Sequence, residues 1–184
     1  MRINIIGAPG TGKTTLGKAL ARELDCVYLD SDDYFHVLSN PPYTKQRTPE
    51  ERFRLLISDL ANHENCVVSG HVGLWGKHEL LEFSAVLFLY LPAEIRLARL
   101  KAREQERFRL RIEPGGDMYE DHLGFMQWAA GYDKRPPEES NGLASHGRYL
   151  KAQTCPVLRM EKPLTEQEQV DVAKEFLIKA ELLK

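Results

Sequence analysis

Apolar and polar positions along this chain change period repeatedly, and each change marks an element. Ile3 to Ile6 is a short continuous apolar run ending on glycine, which predicts a buried strand. From Lys13 to Leu24 the apolar residues Leu16, Ala19, Leu20 and Leu24 fall at helical spacing. Val27 to Asp30 predicts a second strand, and Asn40-Pro41-Pro42 a loop. Thr48-Pro49-Glu50-Glu51 opens a helix: Thr48 caps it, Pro49 suits its first position, and Glu51 completes a capping box. Cys66 to Ser69 and Ala85 to Leu91 predict third and fourth strands, and a helix runs from Pro92 to about Arg107. Phe108 to Gly116 reads as irregular, broken by Pro114-Gly115-Gly116. Asp117 is expected to cap a helix closed by Gly131, Lys134 to Gly142 to form a loop, and a further helix to fill part of Leu143 to Thr154. Pro156 to Met160 makes a fifth strand, and Thr165 and Glu168 box the start of a last helix.

Strands alternating with helices predict an α/β fold, a three-layer sandwich around a five-stranded parallel sheet. The 184 residues read as one domain. Its core spans about 1–103 and 143–184, with a lid-like helical excursion at about 104–142.

Composition narrows the function classes. A formal net charge of −2 gives no global reason to expect nucleic acid or an anionic membrane as partner. Cys26, Cys66 and Cys155 are odd in number and form no CxxC pair, so neither a zinc site nor a disulfide framework is expected. The chain enters a strand after Arg2 without the apolar stretch of a signal peptide, and no run reaches bilayer length. A cytoplasmic protein is the expectation; the oligomeric state is not legible.

Gly7-Ala8-Pro9-Gly10-Thr11-Gly12-Lys13-Thr14 fits G-x-x-x-x-G-K-[ST], and it sits between an apolar strand and an amphipathic helix. Glycines let backbone N–H groups converge on phosphate oxygens, and the following helix turns its positive end to the same anion. The segment Gly7 to Thr15 is therefore the expected ATP cradle. Lys13 reaches the β- and γ-phosphates, and the Thr14 hydroxyl ligates magnesium.

No N-K-x-D string marks a guanine-reading switch protein. A motor or AAA-type ATPase would normally end its third strand with an acidic pair, whereas this strand ends Ser69-Gly70-His71. The acidic cluster ends the second strand instead, in Asp30-Ser31-Asp32-Asp33. Neighbouring strand ends in a parallel sheet open onto one crevice, so Asp30 and Asp32 are expected to face the phosphates. One carboxylate, Asp30, would hold magnesium or its water; Asp32 would position the acceptor or take its proton. The plainer alternative is helix capping, with Asp33 the first candidate.

The Gly7–Thr14 loop, the Asp30-Ser31-Asp32 string and the lid-like region together resemble the nucleoside-monophosphate-kinase fold group, which includes adenylate, shikimate and gluconate kinases. That resemblance implies a P-loop kinase fold with a helical lid, ATP and Mg2+ as cofactors, and a small-molecule phosphate acceptor. Asp30-Ser31-Asp32 and Glu51-Arg52-Phe53-Arg54 are most similar to shikimate kinases, which implies that Asp32 and Arg54 hold the acceptor. Arg99-Leu100-Lys101-Ala102-Arg103 is similar to the R-L-x-x-R that leads into the lid of adenylate kinases. Shikimate kinases carry a triple glycine after the third strand, where this chain has Gly70-His71-Val72-Gly73. Arg111 to Asp117 matches neither lid.

Arg96, Arg99, Arg103 and Arg107 share one helical face. Guanidinium groups stabilise the charge that develops in phosphoryl transfer, so Arg103 and Arg107 are candidate catalytic residues carried by the lid. The alternative is a solvated face neutralised by Glu94, Glu104 and Glu106. Gly70 and His71 are candidate acceptor contacts, while Phe125, Met126 and Trp128 either stack on a base or, the commoner case for helical aromatics, belong to the core. The reading is thus a kinase acting on a hydroxyl or nucleoside monophosphate acceptor. A nucleotide-dependent regulatory module with slow hydrolysis remains open, and a nucleic-acid 5′-end kinase would need a basic path, against which the near-neutral composition argues weakly.

Overall fold

The computed structural model describes residues 1–73, 75 and 81–183. In chain order its elements are β1 (Arg2–Gly7), α1 (Lys13–Glu23), β2 (Val27–Asp30), α2 (Ser31–Phe35), α3 (Pro49–Asn62), β3 (Cys66–Ser69), β4 (Ala85–Leu89), α4 (Ala93–Phe108), α5 (Tyr119–Ala130), α6 (Leu143–Lys151), β5 (Val157–Met160) and α7 (Glu166–Lys179). Two 3-10 turns, Arg109–Ile112 and Gly131–Lys134, flank α5. The first gives form to a stretch that the sequence leaves irregular.

The strands pair in parallel in the order β2-β3-β1-β4-β5. In β1, Ile3 stands opposite Val67 on one side and Ala85 on the other. Continuous apolar runs are required here because helices cover both faces. Leu16 and Leu20 of α1, with Val170, Ala173 and Leu177 of α7, pack on Ile3, Ile5, Val67 and Leu87. Across the sheet, Leu56 and Leu60 of α3 meet Cys66 and Val68, and Leu150 of α6 meets Ile6, Val86 and Phe88. Burying each such side chain contributes about 1.5–3 kcal/mol before conformational entropy is subtracted. The result is the three-layer α/β sandwich expected. Among the described residues, no helix is long and apolar enough to cross a membrane.

Local signals set several helix starts. Thr48 Oγ1 accepts from the Glu51 N–H at 3.2 Å while Glu51 Oε2 accepts from the Thr48 N–H at 2.9 Å. Thr165 and Glu168 repeat the arrangement at 3.3 and 2.7 Å. Two caps differ from expectation. Asp30, not Asp33, caps the short helix α2, its Oδ1 accepting from the Asp32 N–H at 3.1 Å. Asp117 does not cap α5, which starts after Met118; its carboxylate accepts instead from Arg111 Nε at 2.9 Å and Nη2 at 2.7 Å. An arginine within reach offers that carboxylate two charged donors where the helix start offers one neutral N–H.

Arg96 breaks with the arginine row of α4. Its side chain is fully buried, donating from Nε to Leu91 O at 2.9 Å, from Nη1 to Ala129 O at 3.4 Å and from Nη2 to Asp133 at 2.7 Å. It clamps the first turn of α4 to the end of α5. Arg96→Met is expected to lower unfolding free energy by about 3–5 kcal/mol, because it strands Asp133 and two carbonyls. Arg99→Met, on an exposed position, is expected to change it by less than about 0.5 kcal/mol. Urea unfolding of the two variants checks the difference.

Candidate active site

In this sheet β1 sits where the strand order reverses direction, with β3 and β2 on one side and β4 and β5 on the other. Crossovers leaving to opposite sides open a crevice at the carboxyl end of β1, the usual place for a ligand in such a sheet. The loop Gly7–Gly12 occupies that end. Gly10 has φ +81°, and a Cβ there would collide with the Arg96 carbonyl, so the loop lies directly against the first turn of α4. Lys13 then starts α1, whose first N–H groups have no partner within the helix and face the crevice as anion donors.

The crevice is a cleft of about 1110 Å³, larger than the roughly 300–1,000 Å³ that usually holds one small ligand. Gly7, Pro9, Gly10, Gly12, Lys13, Thr14 and Thr15 line it from the loop and α1. Ala8 and Thr11 are buried inside the loop, where Thr11 Oγ1 donates to Ala8 O at 2.8 Å. They shape the cradle from behind. Lys13 Nζ donates to the same carbonyl at 2.9 Å. Burial lowers its pKa to about 8, against the opposing pull of Asp32 and Asp30.

Asp30 and Asp32 both line the cleft, as the strand-end argument expects. Asp30 Oδ2 accepts from the Thr14 hydroxyl at 3.3 Å and from the Tyr28 hydroxyl at 2.7 Å. Tyr28 is in turn 2.6 Å from Ser69 Oγ. Hydroxyl and carboxylate oxygens side by side are the hard donors that magnesium takes, so Thr14 and Asp30 fit that ion. Among the described residues no group of three or more His, Cys, Asp or Glu could hold a metal by itself. Magnesium would therefore complete its oxygens from phosphate and water. Asp32 is open to solvent yet walled by the cleft. That partial desolvation raises its carboxyl pKa, as does the nearby Asp30 charge, while Lys13 opposes the shift.

Arg99, Arg103 and Arg107 line the cleft, Arg96 having turned away. Arg103 is held by Glu104 at 2.9 Å and lies 5.9 Å from the Phe125 ring centre. Phe125 and Trp128 are not core: both line the cleft, and Trp128 is 42% exposed. Ala129 is the buried residue of α5, and its aromatics turn to the cleft instead.

On the opposite flank the cleft takes in Gly70 and His71. Gly70 has φ +111°, and a Cβ there would run into Ser31, so the turn after β3 can pass close beside α2 only as glycine. Arg54 does not join them. It is exposed on α3 and is absent from the cleft lining, whereas Arg52 turns inward and stacks 3.5 Å over the Phe35 ring. The α3 register places Phe53, Leu56 and Leu60 on the sheet, which rotates Arg54 to solvent. Sequence reasoning also missed Phe35, Tyr43, Trp75, Asn141, His146 and Gln169, all of which line the cleft. None sits in a motif; the hints were Tyr43 beside the Asn40-Pro41-Pro42 turn and Asn141 in the loop ending at Gly142.

Comparison with known proteins places this geometry. A family model described as an AAA domain matches residues 3–118. The protein YqaC of Bacillus subtilis, described as uncharacterized, is 37% identical over 175 residues, covering 95% of this chain and 96% of its own. The shikimate kinase of Aquifex aeolicus is 29% identical over 152 residues, covering 76% of this chain and 90% of that enzyme. The crystal structure of shikimate kinase from Aquifex aeolicus superposes with a TM-score of 0.56 at 22% identity, across 100% of both chains. The last figure speaks to the fold.

The low Lys13 pKa carries a testable sign. Below about pH 8 the amine is charged, and between about 8 and 10.5 the unfolded chain binds more protons, so the unliganded fold gains stability across that window. Phosphate anions favour the charged amine, so binding Mg-ATP near pH 8 should take up about half a proton. Calorimetry in buffers of different ionisation enthalpy measures the uptake, which should vanish in Lys13→Met.

Proposed function

We propose, for a chain that belongs to the AAA-domain family and is a P-loop phosphotransferase of the small-molecule kinase class, that it moves the γ-phosphoryl group of ATP to a hydroxyl of a small acceptor. Membership brings no acidic pair to the end of β3, where Ser69-Gly70-His71 stands. The carboxylates that serve the phosphates come from the end of β2 and the first turn of α2 instead.

The observation that supports a hydroxyl acceptor is the placement of Asp32 beside Lys13 on one cleft wall. A carboxylate of raised pKa can hold an acceptor hydroxyl and take its proton as the O–P bond forms. An acceptor that is itself a phosphate would need no base, and would meet the repulsion of Asp30 and Asp32 together. Backbone N–H groups of Gly7 to Thr14 and the Lys13 ammonium hold the β- and γ-phosphate oxygens. Magnesium, when bound, would offset charge on the phosphate oxygens. Thr14 and Asp30 would hold it. Arg103 and Arg107 act from the root and start of a lid formed by residues 104–142 of a single-domain chain, where they stabilise charge on the transferring group. Leu164, Thr165 and Gln169, from the loop into α7, line the same cleft and bound the nucleotide end. The protein works in the cytoplasm, on this reading.

Mg-ATP turnover to ADP should rise when an acceptor from a panel of sugar acids, hydroxy acids, polyols and nucleoside monophosphates is added, and should be lost in Lys13→Ala. Asp32→Asn should lower kcat by at least about 100-fold and remove the acid limb of the pH–rate profile. A profile that is unchanged in Asp32→Asn would remove its role as base. ATP binding with no acceptor response anywhere in the panel would favour a regulatory module.

A further inference from the structure

Beyond the groups that handle phosphate, the cleft contains a second set of polar atoms that the reaction scheme does not use. His71, in the turn after β3, and His146, on α6, meet with ring centres 4.6 Å apart and planes at 86°. Both line the cleft, together with Ser69, Gly70 and Asn141. Both nitrogens of His71 and Nε2 of His146 are out of solvent without a hydrogen-bond partner among the described residues. His146 is only 2% exposed. Buried polar atoms are nearly always paired, so three unpaired ring nitrogens converging on one cleft wall are best explained by a ligand that supplies their partners.

The two rings are fixed in place. The Tyr132 hydroxyl lies 2.8 Å from His146 Nδ1, and Tyr149 packs against His71 with ring centres 4.8 Å apart. The Tyr149 hydroxyl donates to Asn4 at 3.3 Å, and Asn4 Nδ2 donates to Val68 O and Gly70 O at 3.0 Å each. Asn4 thus ties the turn bearing His71 to β1 and α6.

Their charge state selects the ligand. Burial depresses the pKa of His71 to about 4, opposed only in part by the polar Asn141 side chain beside the ring, which makes no hydrogen bond of proper geometry to it. His146 is depressed further by burial, by His71, and by the cations Lys13 and Arg135. Both rings are therefore neutral near pH 7, each with one donor and one acceptor nitrogen. A hydroxyl matches such a ring whichever tautomer is present, since it donates and accepts. Carboxylate and phosphate oxygens only accept, and leave the acceptor nitrogens unpaired.

We propose that His71 and His146 form a subsite that hydrogen-bonds the hydroxyl groups of a polyhydroxylated acceptor, such as a sugar, polyol or hydroxy acid. This rests on the kinase reading above and names the acceptor class for the same cleft. The subsite binds hydroxyls that do not react, while Asp32 serves the one that does.

The test is steady-state ADP production with polyols, sugars, hydroxy acids and nucleoside monophosphates, in wild type, His71→Phe and His146→Gln. His71→Phe keeps a ring of similar size without nitrogens, and His146→Gln retains a partner for Tyr132. The proposal expects hydroxylated acceptors to stimulate wild type. Both variants should raise the acceptor KM by about tenfold or more and leave the KM for ATP within about twofold. Deoxy analogues of the best acceptor should lose affinity in wild type and lose little more in His71→Phe. An unchanged acceptor KM in both variants would overturn the subsite while leaving the kinase reading intact. Stimulation by nucleoside monophosphates alone would overturn the polyhydroxylated acceptor class and the hydroxyl-transfer reading with it. Equal rises in both KM values would mark the histidines as structural and overturn the subsite too. No stimulation by any class would overturn the kinase reading, and the subsite with it.

Discussion

The turn from β1 into α1 is the constraint to which the other parts conform. Its backbone has to point successive N–H groups into one small volume, which requires positive φ at Gly10 and no side chain between that residue and Arg96 O. The loop can press so closely on α4 only if the first turn of α4 holds still. Arg96 provides that, buried to the last atom and bonded to Leu91, Ala129 and Asp133. A guanidinium from the same helical row as Arg103 and Arg107 is thus the support on which the phosphate cradle rests. Removing it would loosen the cradle from behind, without touching any ligand.

Electrostatics inside the cleft follows from the same geometry. Lys13 stands near two carboxylates yet has a lowered pKa, so the cost of burying its charge outweighs their attraction. Asp32 has a raised pKa despite that nearby lysine, because partial desolvation by the cleft walls and the charge of Asp30 outweigh it. Each group is therefore held closer to neutrality than water would leave it. An incoming phosphate favours the charged lysine, and an incoming hydroxyl favours the carboxylate that can take its proton. The two imidazoles at the far wall extend the pattern, since they offer hydrogen bonds without charge next to a centre rich in it.

Much of this was legible in sequence wherever the determinant is local. The strand–loop–helix order around Gly7–Thr14, the boxes Thr48–Glu51 and Thr165–Glu168, and the apolar runs of β3 and β4 depend on residues within a few positions of one another. The expected arrival of Asp30 and Asp32 on the cleft also held, because strand order alone brings those ends together. What failed depended on side-chain pairing and packing that no spacing rule specifies. Asp117 looks like a cap until Arg111 folds onto it. Phe125 and Trp128 look like core until Ala129 is seen to be the buried residue of α5. Arg54 follows a familiar string, but the register of α3 exposes it and turns Arg52 inward. His146 had no signal at all, since Tyr132 and His71 reach it only through the tertiary fold.

The central claim is that the Gly7–Thr14 backbone and the carboxylates of Asp30, ending β2, and Asp32, in the first turn of α2, form one phosphoryl-transfer centre. A crystal structure with magnesium and a non-hydrolysable ATP analogue tests this directly. The account predicts β- and γ-phosphates seated on the loop N–H groups, with Lys13 Nζ exchanging Ala8 O for phosphate oxygen. Magnesium should lie between Thr14 and Asp30, and the γ-phosphate should face Asp32. A nucleotide bound elsewhere, with Lys13 still on Ala8 O, would contradict it.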